Sequence, residues 1–447
     1  HDYIDKALER GAAAVICERN GFVSPRAAKI KVTNARAALA RAAAAFYGNP
    51  STRLKVIGVT GTNGKTTVSF MVKQILEAAK IKTGLIGTIR YEIGERVIPA
   101  QRTTPESLEI QQMMAQMLRA DCQACMMEVS SHALEQNRVD SVDFDVGIFT
   151  NLTRDHLDYH GSMEAYYDAK LKLFKLLEQG HKPGAAVVNI DDSYGERLTQ
   201  DANVEVTLTY GTAEAATLRA TRIELGRLET SFVIQYSGGD IACRIPLIGR
   251  HNIYNTLAAV GAGLAMKIKP ADITRALNAM QPVPGRLENI EAGQPFGVFV
   301  DYAHTDDALE NVLKTLREIT EGKLLVAFGC GGSRDSGKRP KMGRIAASLA
   351  DYTIITSDNP RKESAAKIAA QIEEGFRTLR AEGYHVELDR RRAIDDIIRR
   401  AQPGDMVLIA GKGHETYQEF EDTVVPFDDR IYARETLETL GFASAQN

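Results

Sequence analysis

The chain has 447 residues, of which 44% are hydrophobic and 25% are charged, and its formal net charge at pH 7 is −3. It exceeds the size at which one hydrophobic core stops growing, so we expect two or three globular domains. The composition lacks the basic excess typical of nucleic-acid binding, and no apolar run approaches the roughly 18 residues of a membrane span. Five cysteines without a regular spacing favour a reducing compartment and a cytoplasmic location.

The first fifty residues are predicted to be part of a larger domain. The sequence starts at His1 without a Met, and HDYIDKALERGAAAVICE indicates a helix that leads into a strand. An Ala-rich helix follows, before Gly48, Pro50 and Ser51 interrupt the pattern. We therefore expect a first domain over residues 1–50, as the remnant of a longer N-terminal domain.

The rest of the chain is predicted to form two α/β domains, over 51–284 and 285–447. From LKVIGVT onward, β-branched runs alternate with amphipathic helices, which is typical of a parallel sheet covered by helices. Between about 204 and 248 the apolar residues recur with period two, which predicts a small antiparallel insert. The Pro/Gly break in PVPGRLE separates the two domains, and the alternation resumes after it.

The stretch GVTGTNGKTT, from Gly58 to Thr67, predicts a phosphate-binding loop between a strand and a helix. Its glycines let backbone amides approach an anion, and Lys65 supplies a positive charge for the outer phosphates. The Thr66 hydroxyl can bind Mg²⁺, and the helix directs its positive end to the same place. Five residues separate Gly58 from Gly64, one more than in the general motif. No Asn-Lys pair occurs in the chain, so ATP is favoured over GTP.

Two groups of polar residues follow predicted strands. Glu128 comes just after an apolar run, where a carboxylate can reach the Mg²⁺ of a nucleotide on the neighbouring loop. Four potential metal ligands fall within six residues, which by itself is a weak indication of a metal site. They are Asp155, His156, Asp158 and His160.

Two groups of basic residues are predicted, from the residues alone, to be solvated charges. The amphipathic helix MEAYYDAKLKLFKLL carries Lys170, Lys172 and Lys175. A second run, of Arg390–Arg392 with Arg399 and Arg400, is interleaved with aspartates and is predicted to be an exposed helix face.

Nine motifs, in order, resemble the Mur ligases of bacterial cell-wall synthesis. They are GTNGKTT, MEVSSHALEQNR, FTNLTRDHLDYHG, YYDAK, GRHNIYN, PGRLE, VDYAHTDDAL, FGCGGSRD and DNPR. The resemblance runs from about residue 1 to about residue 440, and the family's own phosphate loop has the spacing seen here. It implies a partial UDP-substrate-binding domain, a central P-loop ATPase domain and a C-terminal Rossmann-like domain.

The resemblance also implies a reaction. ATP phosphorylates a carboxylate, and the amine of an amino acid attacks the acyl phosphate to form a peptide bond. The implied product belongs to peptidoglycan precursor synthesis, and so to cell shape and division. The implied partners are small-molecule substrates, and the chain is expected to be a monomer without membrane insertion.

By this resemblance, a set of catalytic and metal-binding residues can be assigned. Lys65 and Thr66 hold the outer phosphates and Mg²⁺, Glu128 and His156 are metal ligands, and Lys170 is carbamylated by CO₂ and holds a second Mg²⁺. Lys172 and Lys175 remain predicted as solvated charges. The implied ATP-binding residues are Gly61, Thr62, Asn63, Gly64, Lys65, Thr66, Thr67, Asn252, Arg286 and Asp301.

The implied acceptor is UDP-MurNAc-L-Ala-D-Glu, and the implied amino acid is meso-diaminopimelate. The acceptor-binding residues are Thr103, Thr104, Ser130, Gln136 and Arg138, and Arg102 stands where the family often has Asn. DNPR is similar to the form found in diaminopimelate-adding members, and the Arg361 guanidinium can grip a distal carboxylate that lysine lacks. The amino-acid pocket is implied to consist of Arg334, Asp358, Asn359, Pro360, Arg361, Gly411 and Glu415.

Three alternatives remain at this point. Within the same superfamily, the chain can be an L-lysine-adding ligase or a folylpolyglutamate synthetase-like ligase. DNPR and the motif from Ser130 to Arg138 count against the latter. From a different class, a P-loop ATPase that works as a switch or interaction module would turn over ATP without an amine acceptor.

Overall fold

The computed structural model describes residues 3–18 and 27–442. The prediction that the sequence starts inside a domain was based on His1, which lies outside these ranges. The chain divides into two compact units. The first unit comprises His1–Thr221, Ile234–Ile241 and Tyr254–Leu277, and the second comprises Arg222–Val233, Ala242–Ile253 and Asn278–Asn447. The predicted domain limits near 50 and 284 stay predictions.

The described residues form strands and helices that alternate along most of the chain. The strands are β1 (Ala14–Cys17), β2 (Ala28–Lys31), β3 (Lys55–Thr60), β4 (Thr83–Ile86), β5 (Arg90–Ile93), β6 (Arg96–Pro99), β7 (Ala124–Glu128), β8 (Val146–Phe149), β9 (Ala185–Asn189), β10 (Val206–Gly211), β11 (Leu218–Leu225), β12 (Thr230–Tyr236), β13 (Gly239–Ile245), β14 (Glu288–Asn289), β15 (Gly297–Asp301), β16 (Leu324–Phe328), β17 (Tyr352–Ile355), β18 (Tyr384–Val386), β19 (Met406–Ala410), β20 (Tyr417–Phe420) and β21 (Thr423–Pro426). The helices are α1 (Ile4–Glu9), α2 (Ala35–Phe46), α3 (Lys65–Ala78), α4 (Ser107–Arg119), α5 (Ser131–Glu135), α6 (Leu157–His160), α7 (Met163–Gln179), α8 (Ser193–Asp201), α9 (Arg250–Ala265), α10 (Pro270–Asn278), α11 (Asp306–Ile319), α12 (Lys338–Leu349), α13 (Ala365–Arg377), α14 (Arg390–Arg400) and α15 (Asp429–Thr439).

The larger sheet has eleven strands in the order β13-β12-β11-β10-β9-β8-β3-β7-β4-β5-β6. Its central part is parallel, because β3 pairs in parallel with both β7 and β8. These strands are almost wholly apolar and buried, as expected when helices cover both faces of a parallel sheet. The predicted α/β class is therefore confirmed.

The region between about 204 and 248, which was predicted to be an antiparallel insert, forms strands at one edge of this sheet. Strands β11, β12 and β13 are successive neighbours, joined by short connections at 226–229 and 237–238. Such short connections join antiparallel strands, since parallel neighbours need a long crossover.

The second unit contains a six-stranded sheet in the order β14-β15-β19-β16-β17-β18. All its pairings are parallel except that of β14 with β15. Strand β19 lies between β15 and β16, so the order of the strands in the sheet differs there from their order in the chain. In parallel sheets, ligands bind beyond the carboxyl ends of the strands, at the point where the strand order changes direction.

The predicted exposure of the arginine run is wrong for one residue. Arg390 is buried, and its guanidinium forms two 2.7 Å hydrogen bonds with the carboxylate of Asp429. It also donates to the backbone oxygens of Ser357 and Ala410, which flank the strand ends of the second sheet. The other arginines of the run are exposed, as predicted: Arg391, Arg392, Arg399 and Arg400.

Across residues 3–18 and 27–442, no helix has both the length and the apolar composition that crossing a membrane requires.

Candidate active site

The phosphate loop joins β3 to α3, as predicted, and it needs glycine at two positions. Gly61 and Gly64 have φ values of 150° and 87°, which L side chains rarely adopt. A Cβ atom at Gly61 would lie 1.8 Å from the Thr150 hydroxyl, and one at Gly64 would lie 2.4 Å from Oδ1 of Asn255. Any other residue would therefore displace the loop.

The segment that follows β8 braces the loop from the side. The backbone amide of Thr62 donates to the backbone oxygen of Asn151, and that of Asn63 donates to Asn151 Oδ1, both at 2.9 Å. The Thr150 hydroxyl donates to the Asn63 oxygen at 2.6 Å. The loop is therefore held in shape by the protein itself, which reduces the cost of organising it around an anion.

Two lysines direct their side-chain nitrogens at the same backbone oxygen. Nζ of Lys65 lies 2.9 Å from the Gly61 oxygen and 2.8 Å from the Thr62 oxygen, while Nζ of Lys170 lies 2.7 Å from the Gly61 oxygen. Lys170 is only 1% exposed, so its prediction from the residues alone as a solvated charge is wrong. Burial, reinforced by the charge of Lys65, holds the pKa of Lys170 well below its usual range. Its charged form is therefore disfavoured at this position.

Lys172 and Lys175 lie on the same helix and are partly exposed, with side chains 42% and 40% accessible, which fits their prediction as solvated charges. Nζ of Lys172 pairs with Glu135 at 2.6 Å, and Nζ of Lys175 pairs with Glu178 at 3.0 Å. The burial of Lys170 therefore distinguishes it from its two neighbours.

Glu128 provides a buried carboxylate beside the phosphate loop. Oε2 accepts hydrogen bonds from the Thr66 hydroxyl at 3.1 Å and the Thr88 hydroxyl at 2.9 Å, and Oε1 accepts one from the Thr88 amide at 2.9 Å. All three donors are neutral. A carboxylate and a hydroxyl are ligands that Mg²⁺ prefers, so Glu128 and Thr66 fit the predicted metal.

Protein side chains alone supply few metal ligands here. Within the described ranges, no three or more His, Cys, Asp and Glu side chains gather in a way that could hold a metal ion. A metal at Glu128 would therefore rely on further oxygen ligands, such as phosphates, waters or a modified lysine.

His156 lies in a group of aromatic rings. It adopts a φ of 53°, its ring centroid is 4.9 Å from that of His132, and its Nε2 is 3.3 Å from the Asp155 carboxylate. His160 stacks on Tyr166 with centroids 4.9 Å apart. Asp155, His156 and His160 therefore lie among neighbouring aromatic rings, but the role of His156 as a metal ligand stays a prediction.

The predicted acceptor-binding residues form one hydrogen-bonded group. The Thr104 hydroxyl donates to the Glu128 backbone oxygen at 2.7 Å and accepts from the Ser130 amide at 3.0 Å. Arg138 donates to the Thr104 oxygen at 2.8 Å and to the Gln136 side-chain oxygen at 2.7 Å. Four predicted residues therefore converge on the end of β7.

Thr103, the fifth predicted acceptor-binding residue, contacts Thr88, which the sequence did not single out. The Thr88 hydroxyl lies 3.1 Å from the Thr103 hydroxyl and also donates to Glu128. Arg102, next in the chain, pairs instead with Glu106. Thr88 occurs in a stretch without motif character, so only the fold reveals its position.

The residues predicted for the amino-acid pocket follow the carboxyl ends of strands in the second unit. Nε of Arg361 pairs with Oε2 of Glu419 at 2.8 Å, and Nη1 donates to the Gly332 oxygen at 3.0 Å. A Cβ atom at Gly332 would lie 1.9 Å from the Pro360 oxygen, so the glycine-rich loop packs directly on DNPR. Arg334 follows in that loop, with Cγ 4.0 Å from the Cβ position of Gly331.

A buried lysine joins the other predicted members of this pocket. Nζ of Lys412 lies 3.0 Å from both Oδ1 of Asn359 and Oε2 of Glu415, and the lysine is fully buried. Nδ2 of Asn359 donates to the same Glu415 oxygen at 2.9 Å. A Cβ atom at Gly411 would lie 2.7 Å from the Asp358 carboxylate. The sequence did not single out Lys412.

Three predicted nucleotide-binding residues also lie in the second unit. Asn252 is buried and donates to the Ile248 oxygen at 2.8 Å. The Arg286 guanidinium lies 4.9 Å from the centroid of the Tyr302 ring. Asp301 accepts backbone hydrogen bonds, and burial, opposed by Arg286, raises its pKa. Their contact with a nucleotide stays a prediction.

Comparison with protein families gives two matches. Residues 59–263 match the model described as the Mur ligase middle domain, and residues 285–413 match that described as the Mur ligase, glutamate ligase domain.

Similar proteins span most of the chain. One, from Geobacter metallireducens, is 46% identical over 447 aligned residues, which cover 96% of this chain and 87% of the relative. Another, from Geobacillus kaustophilus, is 45% identical, with 99% and 90% covered. Both are named UDP-N-acetylmuramoyl-L-alanyl-D-glutamate--2,6-diaminopimelate ligase.

Solved structures share the fold. One of the ligase of that name has a TM-score of 0.72 and 32% identity, and covers 99% of this chain and 90% of its own. The folylpolyglutamate synthase of Mycobacterium tuberculosis has a TM-score of 0.66 at 18% identity, covering 84% of this chain and 92% of its own, which indicates a shared fold alone.

Proposed function

Since the chain belongs to the Mur ligase family, we propose that it is an ATP-dependent ligase that adds meso-diaminopimelate to UDP-MurNAc-L-Ala-D-Glu. The observation that carries this proposal is the set of groups at the phosphate loop. A braced glycine loop, the buried Glu128 beside Thr66, and the buried amine of Lys170 occur together, and transfer of a phosphoryl group requires charge and positioning of this kind.

The chemistry consists of two displacements. An oxygen of the acceptor carboxylate attacks the γ-phosphorus of ATP, a new P–O bond forms, and the bond to ADP breaks. The amine of diaminopimelate then attacks the carbonyl carbon, a C–N bond forms, and inorganic phosphate leaves as the amine proton passes to solvent. Phosphorylation is needed because a free carboxylate is a poor electrophile.

At the phosphate loop, the chain's own residues bind and orient ATP. We propose that Lys65 moves its ammonium from the Gly61 and Thr62 oxygens to the outer phosphates, while the backbone of residues 61–67 surrounds them. Thr66 and Glu128 would hold Mg²⁺, with His156 as a further ligand. The bound ion would offset negative charge on the transferring phosphoryl group. Asn252, Arg286 and Asp301 are proposed to contact the nucleotide.

Lys170 is proposed to carry a carbamate. A neutral lysine amine attacks the carbon of CO₂, a C–N bond forms, and the nitrogen proton passes to solvent, with no change of oxidation state. The product is an anion, so it would attract the ammonium of Lys65 where the protonated amine repels it. It also supplies oxygen ligands for a second Mg²⁺.

The acceptor is proposed to bind at Thr103, Thr104, Ser130, Gln136 and Arg138. Arg138 presents a guanidinium beside the Thr104 backbone, and such a group pairs well with a carboxylate. The group adjoins Glu128, so its position fits an acceptor whose carboxylate must reach the phosphate loop.

The amino-acid pocket is proposed to distinguish diaminopimelate from lysine by charge. Arg361, with Arg334 nearby, pairs with the distal carboxylate, and Glu415 accepts from the distal ammonium. Lysine has no such carboxylate, so binding it would leave a guanidinium poorly paired in a confined pocket. Asp358, Asn359, Pro360 and Gly411 form the pocket wall.

We further propose that the enzyme acts as a monomer in the cytoplasm, where ATP and nucleotide-linked precursors occur. The odd cysteine count without a regular spacing fits a reducing compartment. L-Lysine addition remains the second candidate, because it needs only a change in the amino-acid pocket.

Product analysis tests the proposal. The purified chain is supplied with UDP-MurNAc-L-Ala-D-Glu, ATP, Mg²⁺ and equal amounts of meso-diaminopimelate and L-lysine, and the products are identified by mass spectrometry. We expect the diaminopimelate tripeptide, with one ADP formed for each peptide bond. A lysine product would contradict the assigned amino acid. ATP turnover that is independent of acceptor and amino acid would indicate the ATPase switch instead.

A further inference from the structure

Arg361 is held in an unusual backbone conformation by the hairpin of β20 and β21. Its φ is 53°, in the left-handed region that non-glycine residues seldom adopt. Its amide donates to the Glu419 oxygen at 3.0 Å, and its own oxygen accepts from the Glu421 amide at 2.7 Å. The hairpin therefore fixes the main chain from which the Arg361 side chain extends.

Glu419 contacts the DNPR segment through three separate groups. Its side chain pairs with Nε of Arg361 at 2.8 Å, and its backbone oxygen accepts from the Arg361 amide. Its own amide donates to Oδ1 of Asn359 at 3.0 Å, the same atom that Lys412 contacts. Glu419 therefore contacts both the guanidinium of Arg361 and the side-chain amide of Asn359.

These contacts leave one end of the guanidinium available. Arg361 has five N–H donors, of which one on Nε and one on Nη1 are taken by Glu419 and Gly332. For Nη2, the described part of the chain provides no acceptor within hydrogen-bond distance. The Arg361 side chain is 20% exposed, so part of it is accessible to solvent.

We propose that Glu419 is a positioning residue, which holds Nε of Arg361 so that the Nη2 end faces the distal carboxylate of diaminopimelate. This inference rests on the proposed function. Arginine has a long side chain that loses much conformational freedom on binding, and fixing it beforehand lowers that cost. Glu419 itself does not contact the substrate in this arrangement.

Two substitutions separate positioning from charge. Glu419→Ala removes the acceptor for Nε, and we expect the KM for diaminopimelate to rise about tenfold, the scale of one lost hydrogen bond to a charged group. The KM values for ATP and for the acceptor, and kcat, should change less than about twofold. Glu419→Gln keeps an acceptor oxygen, so its KM should stay within about threefold of the wild type.

A matched control is Glu435→Ala, which removes an exposed carboxylate from a surface pair with Arg391 in the same unit. This variant should behave as the wild type. Equal increases in all three KM values in Glu419→Ala, or an unchanged KM for diaminopimelate, would overturn the proposal.

A double-mutant cycle provides the sharpest test. If Glu419 acts only through Arg361, adding Glu419→Ala to an Arg361→Ala variant should not raise the KM for diaminopimelate further. Additive effects would show that Glu419 acts elsewhere and would overturn the inference. Failure of the proposed function is a separate result, because the wild type would then form no diaminopimelate product at all.

Discussion

Lys65 and Lys170 place their side-chain nitrogens 2.9 and 2.7 Å from one backbone oxygen, that of Gly61. Burial of Lys170, reinforced by the nearby charge of Lys65, holds the pKa of its amine well below the usual range. A neutral amine is the form of lysine that reacts with CO₂. The carbamate proposed for Lys170 would therefore form beside the phosphate loop.

The first prediction concerns a carbamate on Lys170. Wild-type protein in labelled bicarbonate should show a ¹³C resonance from a carbamate, which should be absent in Lys170→Ala. Lys172→Ala is the control, because Lys172 is partly exposed and pairs with Glu135. A resonance that persists in Lys170→Ala, or its absence from the active wild type, would remove this assignment.

The second prediction concerns selection of the amino acid by Arg361. In Arg361→Ala, kcat/KM with diaminopimelate should fall about a hundredfold, because its distal carboxylate enters the pocket without a charged partner. Activity with lysine should rise far less. Lys362→Ala, at the exposed next position, should leave both values unchanged. If Arg361→Ala kept the wild-type preference for diaminopimelate over lysine, another group would have to bind the distal carboxylate.

The third prediction concerns the buried pair of Arg390 and Asp429. Asp429→Ala leaves a buried guanidinium without its anion, which should reduce the free energy of unfolding by about 3–5 kcal/mol. Glu435→Ala breaks only a surface pair and should cost less than about 1 kcal/mol. Denaturant unfolding checks both. Equal losses of unfolding free energy in the two variants would show that the buried pair contributes no more to stability than the surface pair.

The same pair should also affect the amino-acid pocket. Arg390 bonds to the backbone oxygens of Ser357 and Ala410, which precede Asp358 and Gly411 in the chain. In Asp429→Ala, we therefore expect the KM for diaminopimelate to increase while the KM for ATP stays near that of the wild type.

The fourth prediction concerns His414 and acid stability. Burial, reinforced by the positive charge of Arg286, lowers the pKa of His414 to about 3, and no described residue accepts from or donates to its Nδ1. Between pH 6.5 and about 3, the unfolded chain binds a proton that the folded chain excludes. His414 therefore costs stability as pH falls through this range and costs none above it.

The measurement is denaturant unfolding from pH 7 to pH 5. His414→Gln should flatten the dependence of the unfolding free energy on pH, by up to about one proton at the lower end. His181→Gln, at an exposed histidine, is the control. Identical pH dependence in His414→Gln and the wild type would contradict the assigned protonation of His414.

The sequence predicted features that depend on neighbouring residues. The phosphate loop, from Gly61 to Thr67, could be predicted because its glycines, lysine and threonines are adjacent, and the strand and helix on either side are apolar in regular patterns. The acceptor-binding group could be assigned only through a resemblance, yet its members do converge, as the contacts of Thr104 and Arg138 show.

Features that depend on distant residues could not be predicted. Arg390 looks no different from Arg391 in the sequence, and its burial depends on Asp429, which lies 39 positions further on. Lys170 likewise shares a helix with two partly exposed lysines. Thr88 and Lys412 gain their importance from contacts across the fold, with Glu128 and Asn359, for which no local pattern exists.

The central claim is that the acceptor carboxylate becomes reactive by accepting a phosphoryl group from ATP. The most direct measurement uses acceptor labelled with ¹⁸O in that carboxylate, followed by mass analysis of the inorganic phosphate released during ligation. We expect one ¹⁸O atom in each phosphate, and one retained in the new amide, since the C–O bond breaks when the amine attacks. Phosphate without label, formed alongside the tripeptide, would contradict the claim.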